Sequence, residues 1–337
     1  MQLNIIGNGF DLYHGLPSSY YFFGCYLIKN DMEFYEKIGK MYGLHYTEMI
    51  GPSIAHEYEY VVEDIFWRDF EKHLGEVDEY FIVDTYEDDL GLENDDPVYI
   101  EMNEDMIAER LKHFFVHWVK DTLDQDKNYE LIAKIMDKAT NIIEFGYDYF
   151  LVFNYTHTLQ KIYNISEERI HYVHGECLGN DDDLVIGHGN DYRIQQIKSD
   201  IEKFKEEYDY TQKSSNKINE YQCLLRFLNK LRKDVDFCKY MCELFYENMG
   251  TDLDCINVYG MSIGDVDIPY FIHIREKWPD THWRFSYHST EDRIRVVEVA
   301  TNILHLKKEE YDIFKFSNIL YQEIQEEIVK LQNIKKY

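Results

Sequence analysis

The chain has 337 residues, 45% of them apolar and 16% aromatic, and a formal net charge of −29 at pH 7. The apolar share is enough for a packed globule and excludes general disorder. A field of that sign repels phosphate backbones and excludes stable binding to duplex DNA or RNA, while a small anionic ligand held by local backbone amides stays compatible with it.

In chain order, residues 2–6 read as a buried strand closed by the turn Gly7-Asn8-Gly9. That apolar opening is too short for a secretory leader, and no run of about 18 apolar residues follows, so no signal peptide and no membrane span are expected. Residues 18–42 and 55–74 carry helical patterns, the second with Val61, Ile65, Phe66 and Phe70 near helical spacing. Residues 76–105 hold thirteen acidic residues and no Lys or Arg. A solvated surface insertion is expected there, and it lacks the spacing of a calcium loop. Residues 106–144 read as helical.

An apolar run at 149–153 is the second strand, followed by Asn154-Tyr155-Thr156 and a helix starting near Thr156. Residues 170–173 form a third, ending in His174-Gly175-Glu176, and Leu184-Val185-Ile186 precedes Gly187-His188. Residues 193–250 contain no Pro, and no Gly before Gly250, and read as a helical insertion or subdomain. Residues 255–259 are a strand closed by Gly260-Met261-Ser262-Ile263-Gly264-Asp265, with a helix near Asp267 and Pro269 in its first turn. Residues 282–287 are a further strand, and 290–303 and 308–333 read as helices. Strands alternating with helices predict a mainly parallel, Rossmann-like α/β sheet flanked by helices, in a single domain over 1–337. The six cysteines form no Cys-x-x-Cys pair, and Cys238 and Cys242 lie one helical turn apart, as reduced core thiols in a cytoplasmic protein would.

Four polar loops thus follow four apolar strands, and in a parallel sheet their carboxyl ends share one edge, where ligands bind. Gly7-Asn8-Gly9 has two of the three glycines of a dinucleotide fingerprint. Glycine there gives a tight turn and close approach to phosphate, though a plain strand-to-helix turn has the same pattern. Asn154 suits a water or a ribose hydroxyl, or equally a helix cap. His174 is the right type for a proton acceptor at neutral pH, or a structural histidine bonded to backbone; His157 and His188 offer the same choice. His171 and His174 are three apart on a strand and point to opposite faces, so no metal is expected.

Met1–Phe23, with its strand, Gly-Asn-Gly-Phe-Asp, Gly15-Leu16-Pro17 and aromatic stretch, resembles the opening of the AbiH family of bacterial phage-abortive-infection proteins. Phe66-Trp67-Arg68-Asp69-Phe70-Glu71, Phe153-Asn154-Tyr155-Thr156 with His174-Gly175-Glu176, and Tyr259 through Asp265 look like the same family. That family is in turn similar to sirtuin-like defence domains that cleave NAD, which carry a Gly-rich first loop, a Thr-Asn-Tyr-Asp segment and a His-Gly pair. Asn154, Tyr155 and His174-Gly175 match; Thr156 replaces the Asp, Phe10-Asp11 stands where a small hydroxyl residue is usual, and the zinc-binding cysteines are absent.

The resemblance implies an antiphage hydrolase of NAD or a related nucleotide. Asn154 and His174 would be catalytic. Gly7, Asn8, Gly9, Phe10, Asp11, Tyr155, Thr156, Gly175, Gly260, Ser262 and Asp265 would surround the ligand. No cofactor beyond that nucleotide is implied; self-association or a phage-derived trigger is left open. Two rivals are a non-catalytic nucleotide sensor contacting a partner protein, and a metal-dependent phosphoesterase using His174, His188 and Asp265.

Overall fold

The computed structural model describes residues 1–42, 66, 70–77, 97–136, 143–178, 180, 184–189, 191–207, 212–250, 252–316 and 321–331. Most of 55–74, and 78–96 of the acidic stretch expected at the surface, lie outside the described residues. The chain divides into two compact units, one of Met1–Ser19, Val116–Val185 and Asp234–Ile334, the other of Tyr20–Phe115, Ile186–Lys233 and Lys335–Tyr337.

The strands among the described residues are β1 (Gln2–Ile6), β2 (Tyr149–Val152), β3 (Ile170–Tyr172), β4 (Cys255–Tyr259), β5 (His282–Tyr287) and β6 (Tyr311–Lys315). The helices among the described residues are α1 (Asn8–Tyr13), α2 (Tyr20–Asn30), α3 (Met32–Met41), α4 (Phe70–His73), α5 (Pro97–Trp118), α6 (Asp126–Met136), α7 (Thr158–Tyr163), α8 (Asp191–Glu207), α9 (Gln212–Lys230), α10 (Val235–Tyr246), α11 (Ile268–Lys277), α12 (Thr290–Glu298) and α13 (Tyr321–Leu331).

All six strands belong to the first unit and form one sheet in the order β3-β2-β1-β4-β5-β6, every pair parallel. This is a Rossmann-like α/β fold, and its strand order reverses between β1 and β4, the position where such sheets open a crevice. The central strands are apolar on both faces because helices cover both. On one face Leu3, Ile5, Leu151, Ile256, Val258, Trp283 and Phe285 pack with Cys238, Cys242 and Phe245 of α10, Tyr270 and Phe271 of α11 and Val296 of α12. On the other, Ile6, Phe150 and Val152 pack with Phe10 of α1 and Leu159 of α7. One polar feature crosses the centre: Asn257 of β4 donates its amide to Oδ1 of Asn4, its register partner on β1, at 3.0 Å, and both side chains are buried.

Helix starts follow local chemistry. Ser289 and Asp292 close a capping box at α12, the Asp234 side chain caps α10, and Pro269 sits in the first turn of α11.

One segment differs from its sequence pattern. Residues 308–333 were expected to be helical throughout, yet Tyr311–Lys315 is the edge strand β6, paired with β5 from Trp283↔Tyr311 to Tyr287↔Lys315. Its aromatic and β-branched residues suit a pleated, half-buried edge, and α13 lies further along the chain. The long stretch 193–250 is helical, in α8, α9 and α10. Helices α8 and α9 belong to the second unit, whereas α10 belongs to the first and buries its cysteines against the sheet. Burial raises the Cys242 thiol to about 12, so it stays protonated.

The second unit has an aromatic core in which Phe23, Phe66 and Phe115 set their rings edge-on or tilted around Phe70 and one another. It also holds Lys233, 2% exposed and paired with Glu71 at 2.9 Å. His188 lies in this unit, buried, with its ring bonded to the Leu228 carbonyl at 3.0 Å. That is the backbone-bonded, structural placement.

Candidate functional site

At the switch point the turns after β1 and β4 meet backbone to backbone. The Gly7 N–H donates to the Tyr259 carbonyl at 2.9 Å, and the Gly9 N–H donates to the Gly260 carbonyl at 2.7 Å. A methyl group at Gly9 would lie 2.8 Å from the Gly260 Cα, and one at Gly7 would lie 2.3 Å from the Met261 sulfur. Gly260 itself has φ +63°, and a methyl group there would meet the Phe10 nitrogen at 2.2 Å. These three glycines therefore allow two turns to touch. Asn8 donates its side-chain amide to the Ser18 carbonyl at 2.9 Å, and the Phe10 ring packs tilted against His14, 4.5 Å between centroids.

Asp11 follows in α1 and has no exposed surface. Its carboxylate accepts the Thr156 hydroxyl at 2.6 Å and the Thr158 hydroxyl at 2.6 Å, and also the Asn154 side chain. Burial raises the Asp11 carboxyl above the usual carboxylate range, against the lowering effect of those three hydrogen bonds. Asn154 is 5% exposed, and among the described residues its Oδ1 has no hydrogen-bond partner. A buried carbonyl-type acceptor left open is costly in a folded protein and is one mark of a ligand site. Tyr155 points elsewhere and donates to the Val185 carbonyl at 3.2 Å.

Between Thr156 and Thr158 stands His157. Its Nδ1 bonds Oδ2 of Asp124 at 2.5 Å, and its Nε2 bonds Oε1 of Glu176 at 2.8 Å. Both ring nitrogens face carboxylates, so both must carry protons and the ring is an imidazolium. Burial alone would lower the pKa of His157, but the bonds and charges of Asp124 and Glu176 outweigh it and raise it from 6.5 to about 9.

Asp124 is positioned by a π turn, Val119–Leu123, whose Thr122 and Leu123 carbonyls accept the Asn128 side chain at 2.8 and 2.9 Å. Asp124 also accepts the Tyr129 hydroxyl at 2.5 Å and the His157 backbone N–H at 3.0 Å. Burial opposes its charge, yet the His157 bonds hold the carboxyl below its ordinary value. A cavity of about 510 Å³ beside this array is lined by Asp124, Gln125, Asp126, Lys127, His157 and Lys161.

His174 is placed otherwise. It is 3% exposed, with its ring edge-on to Phe153 and Tyr270 at 5.5 and 5.8 Å between centroids. Those two rings belong to the cluster on the α10–α12 face, whereas Phe10, beside Asp11, belongs to the opposite one. Gly175 has φ +87° and turns the chain after β3. Ser262 and Asp265 lie on the exposed side of the loop after β4, and Asp265 pairs with Arg295 at 2.6 Å. Among the described residues no group of three or more His, Cys, Asp or Glu is placed to hold a metal ion, and no helix is long and apolar enough to cross a membrane.

The structure thus joins Asp11, Asn154 and Thr156, and separately Gly7, Gly9 and Gly260. Sequence reasoning did not single out Asp124 or Thr158 and left His157 undecided. The polar string Asn154-Tyr155-Thr156-His157-Thr158 after an apolar strand was the available signal for the latter two, whereas Asp124 lay inside a helical pattern with none.

Comparison with known families gives a match to the model described as bacteriophage abortive infection AbiH, over residues 3–287. No curated protein and no solved structure matches the chain. The matched span takes in five of the six strands and all of the loops described above, and the chain belongs to the AbiH family of bacteriophage abortive infection proteins.

Proposed function

We propose that, within a role in phage abortive infection, this chain is a hydrolase of NAD or a related nucleotide, acting at the Asp11–Asn154 cluster. The observation that carries the reading is Asn154: its amide donates to Asp11, and its buried Oδ1 is open to a donor such as a ribose hydroxyl or a water. The cluster lies at the carboxyl edge of a Rossmann-like sheet, the usual ligand edge.

In the proposed reaction the C1′–N bond breaks and its electron pair leaves with neutral nicotinamide. Water adds to C1′ and gives up a proton to solvent. The ribosyl centre becomes cationic on the way, so orientation and negative electrostatic potential matter more than a strong nucleophile. Asp11, Asp124 and Glu176 against the one imidazolium of His157 supply carboxylates of that sign.

The test is purified protein incubated with NAD, with nicotinamide followed by chromatography, in wild type, Asn154→Ala and Asp11→Asn. Release by wild type and its loss in both variants supports the reading. Release that persists in both variants, or none from wild type in the presence of phage lysate, sinks it. A nucleotide sensor without turnover is the second reading, favoured by the complete burial of Asp11. It expects Asn154→Ala to lose nucleotide binding, whereas a hydrolase keeps binding and loses turnover.

A further inference from the structure

We propose that the phosphates of the nucleotide bind in the cavity beside His157, on Lys127 and Lys161, rather than at the Gly7–Gly9 turn. The inference rests on the nucleotide reading above and names the part of the ligand that this chain grips.

Three features of the molecule support this, and the first is the state of the glycine turn. A phosphate cradle needs backbone N–H groups free to point at the anion. Here the N–H groups of Gly7, Gly9 and Phe10 are given to the carbonyls of Tyr259, Gly260 and Gly7. The Met261 side chain also packs over Gly7. Three of the donors at that turn are thus engaged within the protein.

The second is the chemistry of the cavity. It is open to solvent on one side, and its volume of about 510 Å³ is that of a small-molecule site, roughly 300–1,000 Å³. Two ammonium groups line it, one from α6 and one from α7, in a chain of net charge −29. Two carboxylates line it as well, and each is accounted for. Asp124 takes the Tyr129 hydroxyl, the His157 backbone N–H and the His157 ring, which leaves it little acceptor capacity, and its charge faces the imidazolium. Asp126 pairs with Lys161 at 2.7 Å, but its side chain is 79% exposed and Lys161 is 46% exposed. An exposed pair of that kind holds weakly, and the ammonium turns readily to a dianionic phosphate. His157 gives both ring protons to Asp124 and Glu176, so its charge goes to balancing theirs and the attraction for phosphate rests on the two lysines.

The third is continuity. Residues 154–158 carry His157 into the cavity wall and, on the same short loop, carry Asn154, Thr156 and Thr158 onto Asp11. A ligand anchored by its phosphates at the lysines therefore lies against the loop that holds the proposed reacting centre.

The experiment is isothermal titration of the full chain with ADP-ribose and with inorganic pyrophosphate, for wild type, Lys127→Ala/Lys161→Ala and Asn154→Ala. Both lysines are exposed, so the double variant keeps its fold, and circular dichroism checks this. Expected is ADP-ribose and pyrophosphate binding that weakens about tenfold or more in the double variant and falls with added salt. Asn154→Ala should leave pyrophosphate binding unchanged. Equal affinity in wild type and double variant, or no binding of either probe by wild type, overturns the inference. If NAD is cleaved with an unchanged KM in the double variant, the hydrolase reading stands and the cavity assignment falls. If NAD is not cleaved yet ADP-ribose binding depends on the lysines, the cavity assignment stands and the hydrolase reading falls.

Discussion

His157 gives one ring proton to Asp124 and the other to Glu176, and so ties the loop after β2 to the π turn on one side and to the loop after β3 on the other. The bond to Glu176 is 2.8 Å long, and Glu176 is the more exposed of the two partners. The array exists only with a protonated ring, which fixes the sign of its pH dependence. The folded pKa is raised from 6.5 to about 9. Its contribution to stability is complete below about pH 6.5 and is lost as pH rises through about 9.

Melting temperature measured from about pH 6 to about pH 10 should therefore fall more steeply in wild type than in His157→Gln. At neutral pH the variant should be less stable by about 3 kcal/mol, because a partly buried carboxylate is left without its cation. The two curves should converge near the alkaline end. Parallel curves would show that the ring is not charged in the folded state.

Asp11 separates packing from charge. Asp11→Ala leaves the hydroxyls of Thr156 and Thr158 buried without their acceptor, at about 1–3 kcal/mol for each group. Asp11→Asn keeps the shape and one acceptor, and should cost less than Asp11→Ala in urea unfolding. Both should lose about a hundredfold or more in any nucleotide turnover. An Asp11→Asn protein with full turnover would remove the carboxylate from the mechanism.

Asn154→Ala and His174→Ala, similar in the sequence, should differ in the protein. Truncating Asn154 removes one bond to Asp11 and an open acceptor, so stability should change by no more than about 1 kcal/mol while phage protection is lost. Truncating His174 removes a ring packed between Phe153 and Tyr270, and should cost about 2 kcal/mol or more. Thermal melts alongside a plaque assay read both effects. Equal melting temperatures for the two variants would contradict this placement.

Gly260→Ala should be the most damaging single methyl group. It combines φ +63° with a contact at 2.2 Å to the Phe10 nitrogen, which is backbone and cannot move aside. A cost of about 3 kcal/mol or more is expected, read as loss of soluble protein or a collapsed melting temperature.

The frame of the fold was legible because buried parallel strands write themselves as short apolar runs. Leu3-Asn4-Ile5-Ile6 and Ile256-Asn257-Val258 did so, and each ends in a glycine turn. β6 was not legible, since Tyr311-Asp312-Ile313-Phe314-Lys315 is too short and too polar to stand out among helical neighbours. The site was legible in part. Asn154 and Thr156 were visible as polar residues after a strand, and Asp11 as part of the first loop. Their union was not, because the Asp11–Thr156 bond spans 145 residues and no local pattern encodes such a contact. His157 and His174 show the same limit. Each stands in a polar stretch just past an apolar strand, and only the tertiary structure gives one of them two carboxylates and the other two aromatic rings.

The amide pair Asn4–Asn257 has a consequence for the sheet edge. Apolar strands buried on both faces carry little information about alignment, since a slide of two residues returns similar side chains to similar places. The two amides break that degeneracy. Asn257 also donates to Gln2 of β1 at 2.6 Å, and a slide of β1 against β4 would break the Asn4–Asn257 bond, at about 1–3 kcal/mol for a buried group left unpaired. The same alignment sets Ile6 against Tyr259 and so delivers Gly9 to Gly260. A polar peg in the middle of the sheet thereby acts as a vernier for the two turns at its end, and a change at Asn257 would be felt at the ligand edge without touching it.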